Sequence, residues 1–243
     1  MVVRLSRNVE KSGIDFFKDG DVIHGELKNE VVFFREHGVC FSANVIYGHK
    51  TGYFLDHRDN RRRVGTLSKN KKVLDVFSYA GGFSVHALAG GAQEVTSLDI
   101  SAQALAVAVE NGKLNMHNGI HKTIAIDAFV GLQNLIDKKE VFDIVVIDPP
   151  SFAKSAKEID TAKNSYARLA MLGAKLTAKN GLLILASCSS RIKAQTFFDI
   201  SEQQILKTGR KFKNQDKTYH DIDHPITFEE GAYLKCGYYK LDV

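Results

Sequence analysis

Residues 148–152, which read Asp-Pro-Pro-Ser-Phe, have the composition of an active-site turn. They directly follow the apolar run 142–147, which we interpret as a buried strand. Proline cannot donate a hydrogen bond to a neighbouring strand, and it biases the residue before it toward an extended conformation. The chain therefore leaves the strand rigidly at Asp148. We expect the carboxylate of this residue at the strand's carboxyl end, where it can hydrogen-bond the edge of a planar substrate.

A cysteine follows a second apolar run, residues 181–186, and could act as a nucleophile. Cys188 would share a rim of the sheet with Asp148 if the two strands are parallel. A thiolate there could attack C6 of a cytosine and make C5 nucleophilic, but the thiol would need a lowered pKa or a nearby proton acceptor. The alternative is a small residue buried in a tight turn. We interpret Cys40 and Cys236, in strand-like stretches, as packing residues.

Three further aspartates, at positions 75, 99 and 127, come at the ends of predicted strands. At the rim of a parallel sheet, Asp99 could accept hydrogen bonds from both ribose hydroxyls of an adenosine, and Asp127 could accept one from an adenine amino group. After Asp75, the pair Gly81 and Gly82 would let the backbone approach a ligand closely. Each aspartate has an alternative role as the N-cap of the following helix.

The turn after Asp75 lacks the fingerprint of a dinucleotide site. Its spacing, Ser78-x-x-Gly81-Gly82, differs from G-x-G-x-x-G, so a pyrophosphate cradle is missing. This argues against a nicotinamide cofactor. S-adenosylmethionine, which contains an adenosine but no phosphate, fits better.

Alternating strands and helices are expected to position these residues. Strands are predicted at 73–77, 95–98, 123–126, 142–147 and 181–186, with helices between them, one of them capped by Ser101. This alternation predicts a parallel sheet with right-handed crossovers and a ligand at its carboxyl edge, near the point where strand order reverses. Before about Val64 the sequence is β-like: it predicts a hairpin across residues 35–38 and a further strand at 22–24. The chain ends in a β-like tail.

The composition is that of one globular core with a small appendage. Of 243 residues, 44% are hydrophobic and 25% charged, without an apolar stretch long enough to span a bilayer. Three scattered cysteines fit neither a disulfide framework nor a metal site, so a reducing cytoplasm is the expected compartment. The net charge of +5 hints at a polyanionic partner. Two basic clusters strengthen that hint, although both could be solvated surface: Arg61, Arg62, Arg63, Lys69, Lys71 and Lys72; and Lys207, Arg210, Lys211, Lys213 and Lys217.

Four motifs in their order along the chain resemble one enzyme family. They are residues 50–61 (KTGYFLDHRDNR), 75–83 (DVFSYAGGF), 148–152 (DPPSF) and 187–189 (SCS). Together with Asp223-His224-Pro225 and Tyr233-Leu234-Lys235, they resemble the S-adenosylmethionine-dependent methyltransferases that form 5-methylcytosine in large-subunit ribosomal RNA. The resemblance covers nearly the whole chain. At His57 many relatives have glutamine. Their RNA-binding PUA domain precedes the hairpin; without it, RNA docking is expected to depend on the hairpin, the basic clusters or a partner.

The resemblance implies an α/β fold of the Rossmann-like class I methyltransferase type. We expect a mostly parallel seven-stranded sheet with helices on both faces, preceded by a small β-hairpin subdomain, with domains at residues 1–64 and 65–243. It implies Cys188 and Asp148 as catalytic residues and no metal. The implied cofactor-binding residues are Tyr53, Asp56, Arg58, Asp75, Phe77, Tyr79, Ala80, Gly81, Asp99, Ile100, Asp127, Ala128 and Asp148. The implied substrate-binding residues are Pro149, Pro150, Ser151, Phe152 and Lys154.

Other functions remain open at the level of sequence. A related domain methylates N7 of guanine, which needs no cysteine adduct, and methylation of an exocyclic amine would use the same fold. A non-catalytic RNA-binding or assembly factor would bind RNA without binding S-adenosylmethionine. A small-molecule methyltransferase is the fourth option, and the basic clusters disfavour it because such a substrate does not require them.

Overall fold

The computed structural model describes residues 1–11, 13, 16–48 and 51–242. The chain forms two compact units, Met1–Leu55 and Asp56–Val243. The division we predicted between residues 64 and 65 falls inside a helix of the second unit, Arg58–Leu67. Residues 58–64, which we expected to be β-like, are therefore helical. No helix in the described part of the chain is long and apolar enough to cross a bilayer.

The first unit is built around the predicted hairpin. After a short helix α1 (Arg7–Glu10), strands β1 (Val31–Glu36) and β2 (Val39–Asn44) pair antiparallel. The turn between them has two successive residues in the left-handed region, which matches the twist of a tight hairpin. The strand predicted at 22–24 does not form: Val22 makes only an isolated bridge with Val2, because glycines at positive φ interrupt the extended chain on either side.

The second unit alternates helices and strands. Its helices are α2 (Arg58–Leu67), α3 (Gly82–Ala89), α4 (Ala102–Lys113), α5 (Ala128–Asp137), α6 (Ile159–Leu176) and α7 (Ala194–Lys207). Its strands are β3 (Lys72–Val76), β4 (Glu94–Asp99), β5 (Ile120–Ala125), β6 (Phe142–Ile147), β7 (Thr177–Ser187), β8 (Phe212–Thr218) and β9 (Lys235–Leu241). Short 3₁₀ helices lie at Ala156–Glu158 and Glu229–Gly231. The predicted cap of α4 is confirmed, because the Ser101 side chain accepts a hydrogen bond from the Ala104 amide at 3.2 Å.

The seven strands form one sheet in the order β5-β4-β3-β6-β7-β9-β8. The pairs from β5 to β7 are parallel, and β9 pairs antiparallel with both β7 and β8. Successive residues of β3 enter different apolar clusters, Val73 one and Leu74 the other, so both faces of the sheet are covered. The predicted α/β fold, a mostly parallel seven-stranded sheet in the class I methyltransferase arrangement, is confirmed.

Candidate active site

The strand order reverses between β3 and β6, and this places two of the predicted acids side by side. From β3 the chain winds outward through β4 and β5, and it then returns to β6 on the other side of β3. Asp75 pairs with Val146 across this junction, and the Asp148 amide donates to the Val76 carbonyl at 3.3 Å. Ligands of open α/β sheets bind in the crevice beyond such a reversal.

Asp75 is a buried carboxylate with one oxygen available to a ligand. The backbone amide and the hydroxyl of Ser84 donate to its Oδ2 at 2.9 and 2.6 Å. Its Oδ1 is buried and has no hydrogen-bond partner among the described residues. Burial raises the pKa of Asp75 to about 7; the hydrogen bonds from Ser84 oppose this shift, and the charges of Asp148 and Asp99 add to it. A buried acceptor of this kind is costly unless a bound molecule supplies a donor.

The loop after β3 is held in a strained conformation. Phe77 and Tyr79 have φ values of 63° and 48°, in the left-handed region that residues other than glycine seldom occupy. The Phe77 amide donates to the Leu98 carbonyl at 2.8 Å, and the Tyr79 amide donates to Oδ2 of Asp99 at 2.9 Å. Strain of about 1–3 kcal/mol per residue persists where the surroundings fix it, and it concentrates at ligand-binding sites.

Gly81 is required by packing inside the protein, and its predicted close approach to a ligand stays a prediction. Its φ is 82°, and a Cβ there would lie 2.7 Å from the Cβ of Ala108 on α4. The glycine therefore allows α4 to approach the loop closely.

Asp99 and Asp127 both bind backbone amides at the same edge of the sheet. Oδ1 of Asp99 accepts from the Ser101 amide at 2.9 Å, and its Oδ2 holds the loop through Tyr79. Asp127 is the N-cap of α5, since its Oδ1 accepts from the amides of Phe129 and Val130. Asp127 thus has the alternative role of an N-cap, and its side chain is exposed.

An aromatic group lies beside these acids. The rings of Phe77 and Phe152 have centroids 6.4 Å apart, and those of Phe129 and Phe152 are 6.5 Å apart. All three are partly buried against the main apolar cluster. Phe152 also contacts Tyr166 edge-on at 5.2 Å, so the ring that we predicted to bind substrate packs into the protein. Phe77 and Phe129 are partly exposed apolar side chains at this edge, and the guanidinium of Arg168 lies over the Phe129 ring, 4.8 Å from its centroid.

Asp148 has a partner that the sequence did not reveal. Nε2 of the buried His57 lies 3.3 Å from Oδ1 of Asp148. On the other side of the ring, Nδ2 of Asn60 contacts Nδ1 at 3.0 Å. Burial lowers the pKa of His57, and the carboxylates of Asp148 and Asp56 raise it by more, so that it stands above its ordinary value. His57 is the N-cap residue of α2 and precedes Asn60 by one turn, a spacing that relates these two side chains but does not indicate their contact with Asp148.

Cys188 lies directly beyond β7 and reaches the Asp-Pro-Pro turn. Its Sγ contacts the carbonyl oxygen of Pro149 at 3.7 Å, and its side chain is partly exposed. In the preceding residue, the Ser187 hydroxyl donates to the Tyr166 hydroxyl at 2.9 Å, which fixes the end of the strand. The structure thus brings Cys188 and Asp148 to one rim, as predicted from their positions after parallel strands. By contrast, Cys236 is buried in β9 and Cys40 is half-buried in β2.

Comparison with known proteins identifies the family. A family described as S-adenosylmethionine-dependent methyltransferase matches residues 20–203. The chain belongs to this family. A Deinococcus radiodurans protein named ribosomal RNA large subunit methyltransferase is 42% identical over all of this chain and 60% of its own length. Ribosomal RNA large subunit methyltransferase I of Aeromonas salmonicida is 40% identical over 88% of this chain and 55% of its own length. The chain spans less than two thirds of either relative.

A solved structure extends the comparison to the fold and the cofactor. The crystal structure of SMU.776 complexed with SAH superposes with a TM-score of 0.79 at 27% identity, covering 90% of this chain and 58% of that one. The description of the family agrees with the S-adenosylmethionine cofactor that we predicted for this chain. The orphaned oxygen of Asp75 and the partly exposed aromatic side chains fit such a cofactor, which combines cationic and aromatic groups.

The segment before α2 divides between the two units. Lys50 lies outside the described residues. Tyr53 packs with Phe34 and Phe41 in the core of the first unit, with centroids 5.0 Å from each ring. In the second unit, Asp56 accepts a hydrogen bond from the Tyr233 hydroxyl at 3.1 Å. Cofactor binding by these residues stays a prediction.

Arg58 and the residues around the Asp-Pro-Pro turn have mixed surroundings. Arg58 pairs with Asp223 at 2.5 Å, so its charge is already compensated. Pro150 and Lys154 are exposed, whereas Pro149 is buried. The remaining predicted side chains at this edge vary in accessibility: Ile100 is exposed, Ser151 is half-buried, and Ala80 and Ala128 are buried.

The two basic clusters are largely engaged within the protein. In the first, Arg61 is buried, and Arg63 pairs with Asp216 at 2.6 Å. In the second, Arg210 pairs with Asp242 at 2.6 Å and also donates to three backbone carbonyls. The exposed members are Arg62, Lys69, Lys71, Lys207, Lys211 and Lys213. The polyanion-binding surface suggested by the sequence is therefore smaller than the charge count implies.

Proposed function

We propose that this methyltransferase transfers a methyl group from S-adenosylmethionine to C5 of a cytosine in RNA, with large-subunit ribosomal RNA as the substrate. The observation that carries the proposal is the contact of the Cys188 thiol with the carbonyl oxygen of Pro149, the residue after Asp148, at 3.7 Å. The names of the relatives, which describe methyltransferases of ribosomal RNA, support the substrate class.

The residues of this chain account for activation of the base. The Cys188 thiolate attacks C6 of the cytosine and forms a C–S bond, while the C5–C6 electron pair moves onto C5. Asp148 hydrogen-bonds the N3 or amino edge, and a proton delivered to N3 keeps the adduct neutral. Bound S-adenosylmethionine supplies the electrophilic methyl group. Loss of the C5 proton to water, and return of the N3 proton to the group that delivered it, then restore the C5–C6 double bond as the C–S bond breaks, and the thiolate is released.

The cofactor would be held from β3 to α5. We propose that Oδ1 of Asp75 accepts a hydrogen bond from a donor of the cofactor, and that Asp99 binds its ribose. Asp127, with Phe77 and Phe129, would border the adenine. The strained loop 77–81 would lie against the cofactor's length.

Replacement of Cys188 by alanine tests the proposal. The expected result is loss of methyl transfer to RNA, measured with methyl-labelled S-adenosylmethionine, while calorimetry shows nearly unchanged cofactor affinity. Cys40→Ala is the matched control, because that thiol lies in β2 of the first unit. Full activity of Cys188→Ala would refute the covalent role.

Identification of the product separates the alternatives. Nuclease digestion and mass spectrometry of the methylated RNA should yield 5-methylcytidine. A guanosine methylated at N7, or a base methylated on an exocyclic amine, would replace the proposal with a mechanism that needs no cysteine adduct. RNA binding without cofactor binding would indicate a non-catalytic assembly factor.

A further inference from the structure

Lys235 is a buried lysine held against the turn that carries Cys188. It begins β9, is 1% exposed, and stands opposite Ser187 in the pairing of β9 with β7. Its ammonium donates to the carbonyl of Ser189, the residue after Cys188, and to the carbonyl of Tyr233 at 3.0 Å. These contacts bring a positive charge to the residue that directly follows Cys188.

The ammonium of Lys235 lacks the partner that a buried cation normally has. Within the described residues its hydrogen bonds go to neutral carbonyls, and no carboxylate forms an ion pair with it. Burial lowers the pKa of Lys235 to about 8, and the charge of Cys188 acts in the opposite direction. At pH 7 the side chain is therefore still a cation. Lysine is rarely buried to this extent without an anion to compensate it.

Three groups near Cys188 do not favour a thiolate. The contact from Sγ to the Pro149 carbonyl stabilises the protonated thiol. Burial raises the pKa of Tyr166 to about 12 and also raises the pKa of Tyr233, so both phenols are neutral. A cation close to Sγ would favour the thiolate over the thiol.

We infer that Lys235 is a positioning residue whose ammonium pairs with the Cys188 thiolate and increases the fraction of the enzyme that carries the nucleophile. The inference rests on the proposed function, in which Cys188 attacks the base. In the step concerned, the thiol loses its proton to water, the S⁻ remains beside the ammonium, and Lys235 keeps all its protons. No bond to Lys235 forms or breaks.

Alkylation of Cys188 tests the pairing without any methyl transfer. The full chain is treated with iodoacetamide at a series of pH values, and modification of the Cys188 peptide is followed by mass spectrometry, which separates it from the other two cysteines. In Lys235→Gln, which retains donors for the two carbonyls, the rate at pH 7 should fall about tenfold and the midpoint should move to higher pH. Lys235→Arg should restore most of the rate.

A control variant on the same strand distinguishes charge from general disturbance. Lys240 lies five residues further along β9, opposite Leu182, about 16 Å away at the usual rise of a strand. Lys240→Gln should leave the alkylation profile of Cys188 unchanged. A profile in Lys235→Gln that coincides with that of the wild-type protein would overturn the inference.

The reciprocal measurement keeps the inference testable if Lys235→Gln does not fold. Coupled titrations act both ways, so loss of the thiol should lower the titration midpoint of Lys235. Carbon NMR of labelled lysine in wild-type protein and in Cys188→Ala measures this shift, and an unchanged midpoint would contradict the pairing. If Lys235→Gln shifts the alkylation profile but Cys188→Ala retains full methyl transfer, Lys235 pairs with the thiolate and Cys188 is not the nucleophile. If the alkylation profile is unchanged but Cys188→Ala loses methyl transfer, Cys188 is the nucleophile and Lys235 does not pair with it.

Discussion

Nε2 of His57 lies 3.3 Å from Oδ1 of Asp148, and the contact of Asn60 with Nδ1 determines which ring nitrogen is near the carboxylate. Oδ1 of Asn60 accepts hydrogen bonds from the hydroxyls of Thr218 and Tyr238 at 2.7 and 2.8 Å. In the neutral ring, Nδ2 of Asn60 donates to Nδ1 of His57, so the ring proton lies on Nε2, the nitrogen nearer to Asp148. When the ring is protonated, Nδ1 also carries a proton, and this hydrogen bond from Asn60 is lost.

Replacing His57 by glutamine should change how stability depends on pH. Because the pKa of His57 is raised in the folded protein, its charged contact with Asp148 stabilises the fold most fully below pH 6.5, the ordinary value. This contribution is lost as the pH rises through the raised pKa. The wild-type protein should therefore exceed His57→Gln in stability most at pH 5–6, and the difference should shrink by pH 8. Thermal unfolding across this range measures it.

The histidine at position 224 provides the comparison, because it is half-exposed and pairs with a neighbouring acid. His224→Gln should give a much smaller pH-dependent difference. A constant difference between wild-type protein and His57→Gln from pH 5 to pH 8 would show that the contact with Asp148 carries no charge.

Asp75→Asn should weaken binding of S-adenosylmethionine. In the wild-type protein a buried carboxylate oxygen of Asp75 has no hydrogen-bond donor, and asparagine would put an NH₂ group or a weaker acceptor in its place. The affinity for S-adenosylmethionine should therefore fall about tenfold or more. Since the pKa of Asp75 is about 7, affinity of the wild-type protein for a cationic cofactor should rise between pH 6 and pH 8. Calorimetry at several pH values should show this rise, and Asp75→Asn should lack it.

The same substitution has the opposite effect on stability. A carboxyl whose pKa is raised from 3.8 to about 7 stabilises the fold most fully below 3.8, and the contribution is lost as the pH rises through 7. Asp75→Asn should therefore gain stability relative to the wild-type protein between pH 4 and pH 8. Asp137→Asn, on the exposed end of α5, is the control and should show neither effect. Equal pH profiles for Asp75→Asn and wild-type protein would contradict the assignment.

The features that the sequence predicted share a local cause. Apolar runs followed by Asp75, Asp99 and Asp148 predict parallel strands with acids at one edge, because parallel strands place their carboxyl ends together. The hairpin and the cap at Ser101 are likewise determined by residues close together in the chain. Identification of the methyltransferase family adds the cofactor, through motifs spread over nearly the whole chain.

The features that escaped prediction depend on contacts distant in sequence. β8 (Phe212–Thr218) is polar, and it becomes a strand because β9 offers it an unpaired edge. Arg61 counts as a surface charge in the sequence but is buried on α2. No periodicity signals that His57 meets Asp148 or that Lys235 meets the turn at Cys188, since both pairings are created by sheet topology.

Gly81→Ala should destabilise the protein by about 2–4 kcal/mol, since the new Cβ meets both a left-handed φ and the Cβ of Ala108 at 2.7 Å. Gly209 has a similar φ of 79° but no atom within 4 Å of a Cβ. Gly209→Ala should therefore show only the backbone cost, about 1 kcal/mol. Denaturant unfolding of the two variants separates packing from backbone strain. Equal losses would mean that α4 moves aside without cost.

Asp127 has two roles that substitutions can separate. Asp127→Ala removes the cap of α5 and should cost about 1 kcal/mol, whereas Asp127→Ser retains a capping oxygen and should unfold nearly as the wild-type protein does. If the second carboxylate oxygen binds the adenine amino group, both variants should bind S-adenosylmethionine more weakly, by about tenfold. Calorimetry and thermal unfolding on the same samples provide the two measurements. Wild-type affinity in Asp127→Ser would restrict this residue to capping, and adenine recognition would then depend on backbone groups and the side chains of Phe77 and Phe129.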